Sequence, residues 1–174
     1  MIFVYGTSGT LQENDWSYRK AKLDVEAFWY RGNGTVDIIS DKAFDPRAEP
    51  DRSVIVYGNT DCNSAWKTVL SGSPIAVRRD SVRVGERMTG GDDLAVVFLR
   101  PRPRSSIAHV GVIAGTGAAG MRLLDRLPVF IAGVAYPDWV VMDSTTLVKG
   151  VDGVRSAGFF GNDWSMERAQ AAWR

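Results

Sequence analysis

The sequence predicts a three-layer α/β sandwich, flavodoxin-like or Rossmann-like, with a mostly parallel sheet and one small antiparallel hairpin. Three observations carry the prediction. Short apolar runs recur along the chain, at Ile2–Tyr5, Ser53–Tyr57, Leu94–Leu99, Ile107–Ala114, Trp139–Met142 and Val154–Phe160. Helical patterns alternate with several of them, which is the signature of an α/β fold. The first two runs also repeat one local solution. Val4-Tyr5-Gly6-Thr7 and Val56-Tyr57-Gly58-Asn59 each lead through a polar loop into a helix carrying a tryptophan, Trp16 or Trp66. Such repetition points to strands of one sheet running the same way.

Each element has a local reason. Trp16, Lys20, Leu23, Ala27 and Tyr30 step by three or four, which predicts a helix from about Asn14 to Tyr30 with Asn14 or Asp15 as its N-cap. Arg31-Gly32-Asn33-Gly34 supplies the cation and glycines of a helix end. Val36–Ile39 reads as a short strand, and Asp41–Asp51, with Pro46 and Pro50, as a loop. A helix is expected from Asp61 to Leu70. Val77–Met88 alternates apolar and charged residues around Gly85, which predicts a hairpin. Gly90-Gly91-Asp92 is a turn, and Arg100-Pro101-Arg102-Pro103-Arg104 a stiff basic loop, because proline cannot continue a strand ladder. A third strand–turn–helix unit runs through Gly115-Thr116-Gly117 to about Leu127, where Pro128 stops it. Ser144–Lys149 is a short helix, and Ser165–Trp173 a terminal helix capped by Ser165.

The 174 residues fit one domain spanning the whole chain, long enough to bury a core without staples. A net charge of +1 gives no field to recruit nucleic acid or an anionic membrane, so neither is expected as a partner. The single cysteine, Cys62, excludes an intrachain disulfide. With the single histidine, His109, it also excludes Cys-rich and multi-His metal sites. No metal or cofactor is therefore expected. No run approaches the roughly 20 apolar residues of a membrane span. The chain opens directly on Ile2-Phe3-Val4-Tyr5 with no visible signal peptide, and is expected to be a piece of something longer.

Ligands of open parallel sheets bind beyond the carboxyl ends of the strands. Three glycine loops are expected there: Gly6-Thr7-Ser8-Gly9-Thr10, Gly58-Asn59-Thr60-Asp61 and Gly115-Thr116-Gly117. Each opens a helix whose first N–H groups attract anions, so these residues form the candidate ligand site. The competing reading is that tight strand-to-helix turns need glycine whatever binds. Gly115-x-Gly117-x-x-Gly120 matches a dinucleotide fingerprint, but lacks a strand ending in an acid about 20 residues on. Ser8 is the candidate nucleophile, although its loop is one residue short of a Gly-x-Ser-x-Gly elbow. The one possible base, His109, begins a strand that ends at the glycine loops. Six residues of strand cover about 20 Å, which places it at the opposite edge. Cys62 falls in a first helical turn, where a thiol can be activated, yet no base is evident. Asp37, Asp61, Asp92, Asp93, Asp125, Asp138, Asp143 and Asp163 show no spacing that singles out a catalytic pair.

Several segments taken together resemble the C-terminal domain of large secreted bacterial serine hydrolases of the prolyl oligopeptidase and esterase type. They are Val4-Tyr5-Gly6-Thr7 with Gly9-Thr10, Trp29 to Gly34, Tyr57 to Asp61, Gly91 to Leu94, Arg100 to Pro103, Gly115 to Gly117, Gly120 to Leu123, and Gly158 to Gly161 with Asp163-Trp164. The resemblance implies a catalytic domain upstream as a partner, an extracytoplasmic location, and no catalytic triad in this chain. It also implies threonine as the usual residue where this chain has Cys62. Three functions stay open: a non-catalytic accessory or interaction domain of a secreted serine hydrolase, with homo-oligomerisation as a further possibility; a small esterase or peptidase using Ser8 or an acid in the glycine-loop cleft; and a nucleotide or phosphate binder at the glycine loops.

Overall fold

The computed structural model describes residues 1–127 and 129–174. The expected stop of a helix at Pro128 lies outside them. Strand β1 (Ile2–Tyr5) is almost wholly buried and feeds α1 (Leu11–Gly32). Thr10 caps this helix, four residues earlier than the periodicity predicts. Its hydroxyl accepts from the Glu13 N–H while the Glu13 carboxylate accepts from the Thr10 N–H, a capping box that the Thr10-x-x-Glu13 spacing carries. The helix ends at Asn33 in the left-handed conformation. The chain returns through β2 (Asp37–Ser40) and β3 (Val54–Tyr57), both parallel to β1 in register Val4–Ile39 and Val4–Val56.

The expected helix over Asp61–Leu70 shrinks to the single turn α2 (Trp66–Val69). The expected hairpin is a three-stranded meander of β4 (Ile75–Arg78), β5 (Ser81–Val84) and β6 (Arg87–Gly90), with a second turn at Arg79-Asp80. Next come β7 (Ala95–Pro101), β8 (His109–Gly115), α3 (Ala118–Leu124), β9 (Trp139–Met142), α4 (Thr146–Lys149), a 3₁₀ turn at Gly150–Gly153, and β10 (Val154–Phe159). Ser144 does not cap α4; its hydroxyl donates to Asp93. The terminal helix does not form. Gln170–Trp173 is an edge strand, β11, paired with β10. Pairing with an open sheet edge outweighs the helix propensity of its alanines.

The predicted flavodoxin-like parallel sandwich is therefore corrected to a mixed fold. The main sheet has eight strands in the order β11-β10-β9-β7-β8-β3-β1-β2, beside the separate β4-β5-β6 sheet. Among the described residues, only β2, β1, β3 and β8 form a parallel block, and six of the nine strand pairings are antiparallel. Chain length explains the change. Parallel neighbours need a crossover of about a dozen residues or more. Only residues 102–108 separate β7 from β8, so the two pair as a hairpin from Ala95–Gly115 to Pro101–His109.

Two cores flank the main sheet. One face packs Phe3, Tyr57, Ile113, Met121 and Leu124 beneath α1 and α3. The other packs Val56, Phe98 and Trp139 against α2, the small sheet and Phe160. The basic loop also departs from expectation. Arg100 and Pro101 still belong to β7, and two of the three arginines turn inward. The Arg100 guanidinium stacks 4.6 Å from the Phe160 ring and donates to the Trp164 carbonyl. Arg102 is 1% exposed and donates to the carbonyls of Pro46, Ala48, Glu49 and Arg52, fixing the loop that the two prolines mark.

Candidate functional site

The strand order reverses between β1 and β3: the chain leaves β1 for β2 on one side and β3 lies on the other. A ligand crevice is expected at such a point, beyond the carboxyl ends. The three glycine loops do gather at this edge, following β1, β3 and β8. Many of their polar groups, however, are already engaged by neighbouring residues. The Ser8 N–H donates to the Cys62 carbonyl at 2.9 Å, and the Gly6 N–H to Ser17 Oγ at 2.7 Å. The Gly9 N–H donates to Asn14 Oδ1 at 2.9 Å, and the Thr10 N–H to Glu13 Oε2 at 2.7 Å. The Gly58 N–H donates to the Ile113 carbonyl, and Asn59 Nδ2 to the Gly115 carbonyl at 2.9 Å. Thr60 Oγ1 donates to the Val77 carbonyl, and Asp61 Oδ2 accepts from the Arg79 N–H. Thr116 Oγ1 accepts from the Leu94 N–H.

The glycines serve this packing. Gly58 has φ +98°, and a Cβ there would sit 2.5 Å from Cys62 Sγ. At the dinucleotide-like fingerprint, a Cβ on Gly117 would lie 2.5 Å from the Asp92 carbonyl oxygen, and one on Gly120 would strike the Leu94 carbonyl. The space that such glycines would open for a pyrophosphate is filled by the turn that enters β7.

Asp41 is the organising residue of the edge, and the sequence reading missed it. It follows β2 directly and is buried. Its carboxylate accepts from Thr7 Oγ1 at 2.6 Å, Ser8 Oγ at 3.3 Å and the Ser64 N–H at 2.7 Å. Burial pushes its pKa up, but these hydrogen bonds outweigh burial and hold it below the ordinary carboxylate value. The signal was available: Asp41 ends a strand at the edge where the glycine loops lie. Glu13 and Arg79 form the second polar pair there. The Arg79 guanidinium grips the Glu13 carboxylate with two bonds, of 2.9 and 2.7 Å. This bond to Arg79, against an opposing burial, keeps Glu13 below its usual value.

Among the described residues, no side chain other than Asp41 is bonded to the Ser8 hydroxyl. That carboxylate is made less basic by its own hydrogen bonds. His109 opens β8, six residues before Gly115, and its ring lies 5.7 Å from Trp164. That separation is about 20 Å along the strand. Cys62 is buried, and its thiol is pushed up to about 12, chiefly by burial. Among the described residues, no group of three or more His, Cys, Asp or Glu side chains is placed to hold a metal ion. Two candidate ligand residues, Thr60 and Asp61, also line a cavity of about 470 Å³ with Trp66, Lys67, Arg78 and Arg83.

No family model matches the chain. It is 34% identical over 76 residues to an uncharacterized secreted protein of the fungus Arthroderma benhamiae. The match covers 44% of this chain and 8% of the fungal protein, so the chain spans a small part of that relative. These findings correct the resemblance to bacterial serine hydrolases: the similarity found is partial and leads to a fungal protein whose description names no hydrolase. Among the described residues, no helix is long and apolar enough to cross a membrane.

Proposed function

We propose that this chain is a non-catalytic interaction domain of a larger extracytoplasmic protein, which meets its partner through the polar edge around Ser8, Thr7 and Asp41. One observation carries the reading. Thr7 and Ser8 both donate to Asp41, and among the described residues no imidazole, amine or second carboxylate is bonded to the Ser8 hydroxyl. A serine nucleophile needs an adjacent general base within about 3 Å. An aspartate with lowered pKa, already accepting three bonds, is a poor one.

The same geometry disfavours the hydrolase and phosphate readings together. The α1 N-terminus is capped internally by Thr10 and Glu13, and the Asp41 carboxylate places negative charge beside Thr7 and Ser8, where an anion would dock. The secreted fungal relative, far longer than this chain, supports an extracytoplasmic module. A fluorophosphonate probe followed by intact-mass measurement tests the reading. We expect no adduct under native conditions. A stoichiometric adduct on Ser8 would overturn it.

A further inference from the structure

A second cavity lies away from the glycine edge, between α1 and the irregular segment after α3. It measures about 290 Å³, near the lower end of small-molecule sites. One end is built from a buried ion pair. Lys20 Nζ donates to Asp24 Oδ1 at 2.6 Å, with side-chain exposures of 2% and 9%. The Tyr57 hydroxyl donates to Asp24 Oδ2 at 3.0 Å. Burying this pair costs several kcal/mol of desolvation, and an apolar pair would fill the site at least as well. The pair therefore calls for a role beyond stability.

The hydrogen-bonding balance of the cavity states what it lacks. Both Asp24 oxygens are occupied, and Asp125 Oδ1 accepts from Trp16 Nε1 at 2.9 Å. The Lys20 ammonium has three donors, of which Asp24 takes one. Arg31 and Arg126 line the mouth and have no carboxylate partner among the described residues. Among the described residues Asp125 Oδ2 stays free, yet Lys20, Arg31 and Arg126 against Asp24 and Asp125 leave the lining with positive charge in excess. The remaining walls are apolar: Leu23 and Ala27 from α1, and Phe130 and Ile131 opposite. Leu23 stands 51% exposed at this surface. Phe130 is anchored by its ring, 5.3 Å from Phe3 and 6.4 Å from Phe28.

We propose that this cavity binds a small monocarboxylate with an apolar body. The carboxylate meets the spare donors of Lys20, Arg126 and Arg31, and the hydrocarbon lies between Leu23, Ala27, Phe130 and Ile131. This proposal is independent of the interaction edge, which the cavity does not include.

The test uses octanoate as the probe, with octanol and octylamine as matched chains, in thermal shift and titration calorimetry at fixed ionic strength. Octanoate at tenfold its Kd should raise Tm by about 3–6 °C. Octanol and octylamine should raise it far less. Arg126→Gln and Arg31→Gln, both at exposed positions, should fold normally and each weaken octanoate severalfold. Lys20→Met should abolish binding if it folds; the arginine variants decide the matter if it does not. Absence of an octanoate shift, an equal shift by octanol or octylamine, or an affinity unchanged in both arginine variants would each overturn the proposal.

Discussion

Glu13 and Arg79, 66 residues apart in sequence, are joined by a two-pronged ion pair that ties the first turn of α1 to the turn between β4 and β5. Glu13 also closes the capping box of α1, so one carboxylate fixes both a helix start and the docking of the small sheet.

The pair gives stability a defined pH dependence. Arg79 lowers the Glu13 pKa below 4.5, so the contribution is complete above the unfolded value and is lost as pH falls through the lower folded value. Glu13→Gln should cost about 1–3 kcal/mol at pH 7, the range for charge-assisted bonds. In chemical denaturation, the gap between the wild type and the variant should narrow steadily below about pH 4.5. A gap that stays constant with pH would contradict the assignment.

Arg102 is a buried loop residue whose loss should be costly. Its guanidinium satisfies four carbonyls of the segment Pro46–Arg52, with no carboxylate bonded to it. Arg102→Met keeps the volume but leaves those carbonyls unpaired, which should cost about 3 kcal/mol or more. Limited proteolysis should then cut within residues 46–52 first. Wild-type protease resistance in this variant would show that the loop is held by other contacts.

Cys62 should be inert in the folded state. Burial and a pKa of about 12 leave almost no thiolate at neutral pH. A disulfide reagent should label it only on unfolding, at the rate of global opening. Immediate labelling of native protein at pH 7.5 would place the thiol at the surface and contradict the packing of Gly58 against its sulfur.

Much of the parallel block was legible in the sequence, because Ile2–Tyr5 and Ser53–Tyr57 are apolar runs closed by the same Tyr-Gly turn. The antiparallel half was not, since strand direction depends on connection length, and the short Arg102–Ala108 link was read only as a basic loop. The α1 stripe misled for a different reason. Its buried face is Glu13, Trp16, Ser17, Lys20, Ala21 and Asp24, while Leu23 and Tyr30 are exposed. Charges that neutralise each other inside cannot be told from solvated ones by periodicity alone. The same limit hid Asp41, whose partners Thr7, Ser8 and Ser64 come from two other loops. The glycine loops are visible in the sequence as strand-to-helix turns, but what fills the space around them, Cys62 and the Asp92–Leu94 backbone, is tertiary information.

Turnover of short p-nitrophenyl esters by the purified chain, measured beside Ser8→Ala, asks whether the Ser8–Asp41 edge performs chemistry. Both proteins should give rates that match the buffer background. Turnover by the wild type that disappears in Ser8→Ala would contradict the non-catalytic reading and make Ser8 a working nucleophile.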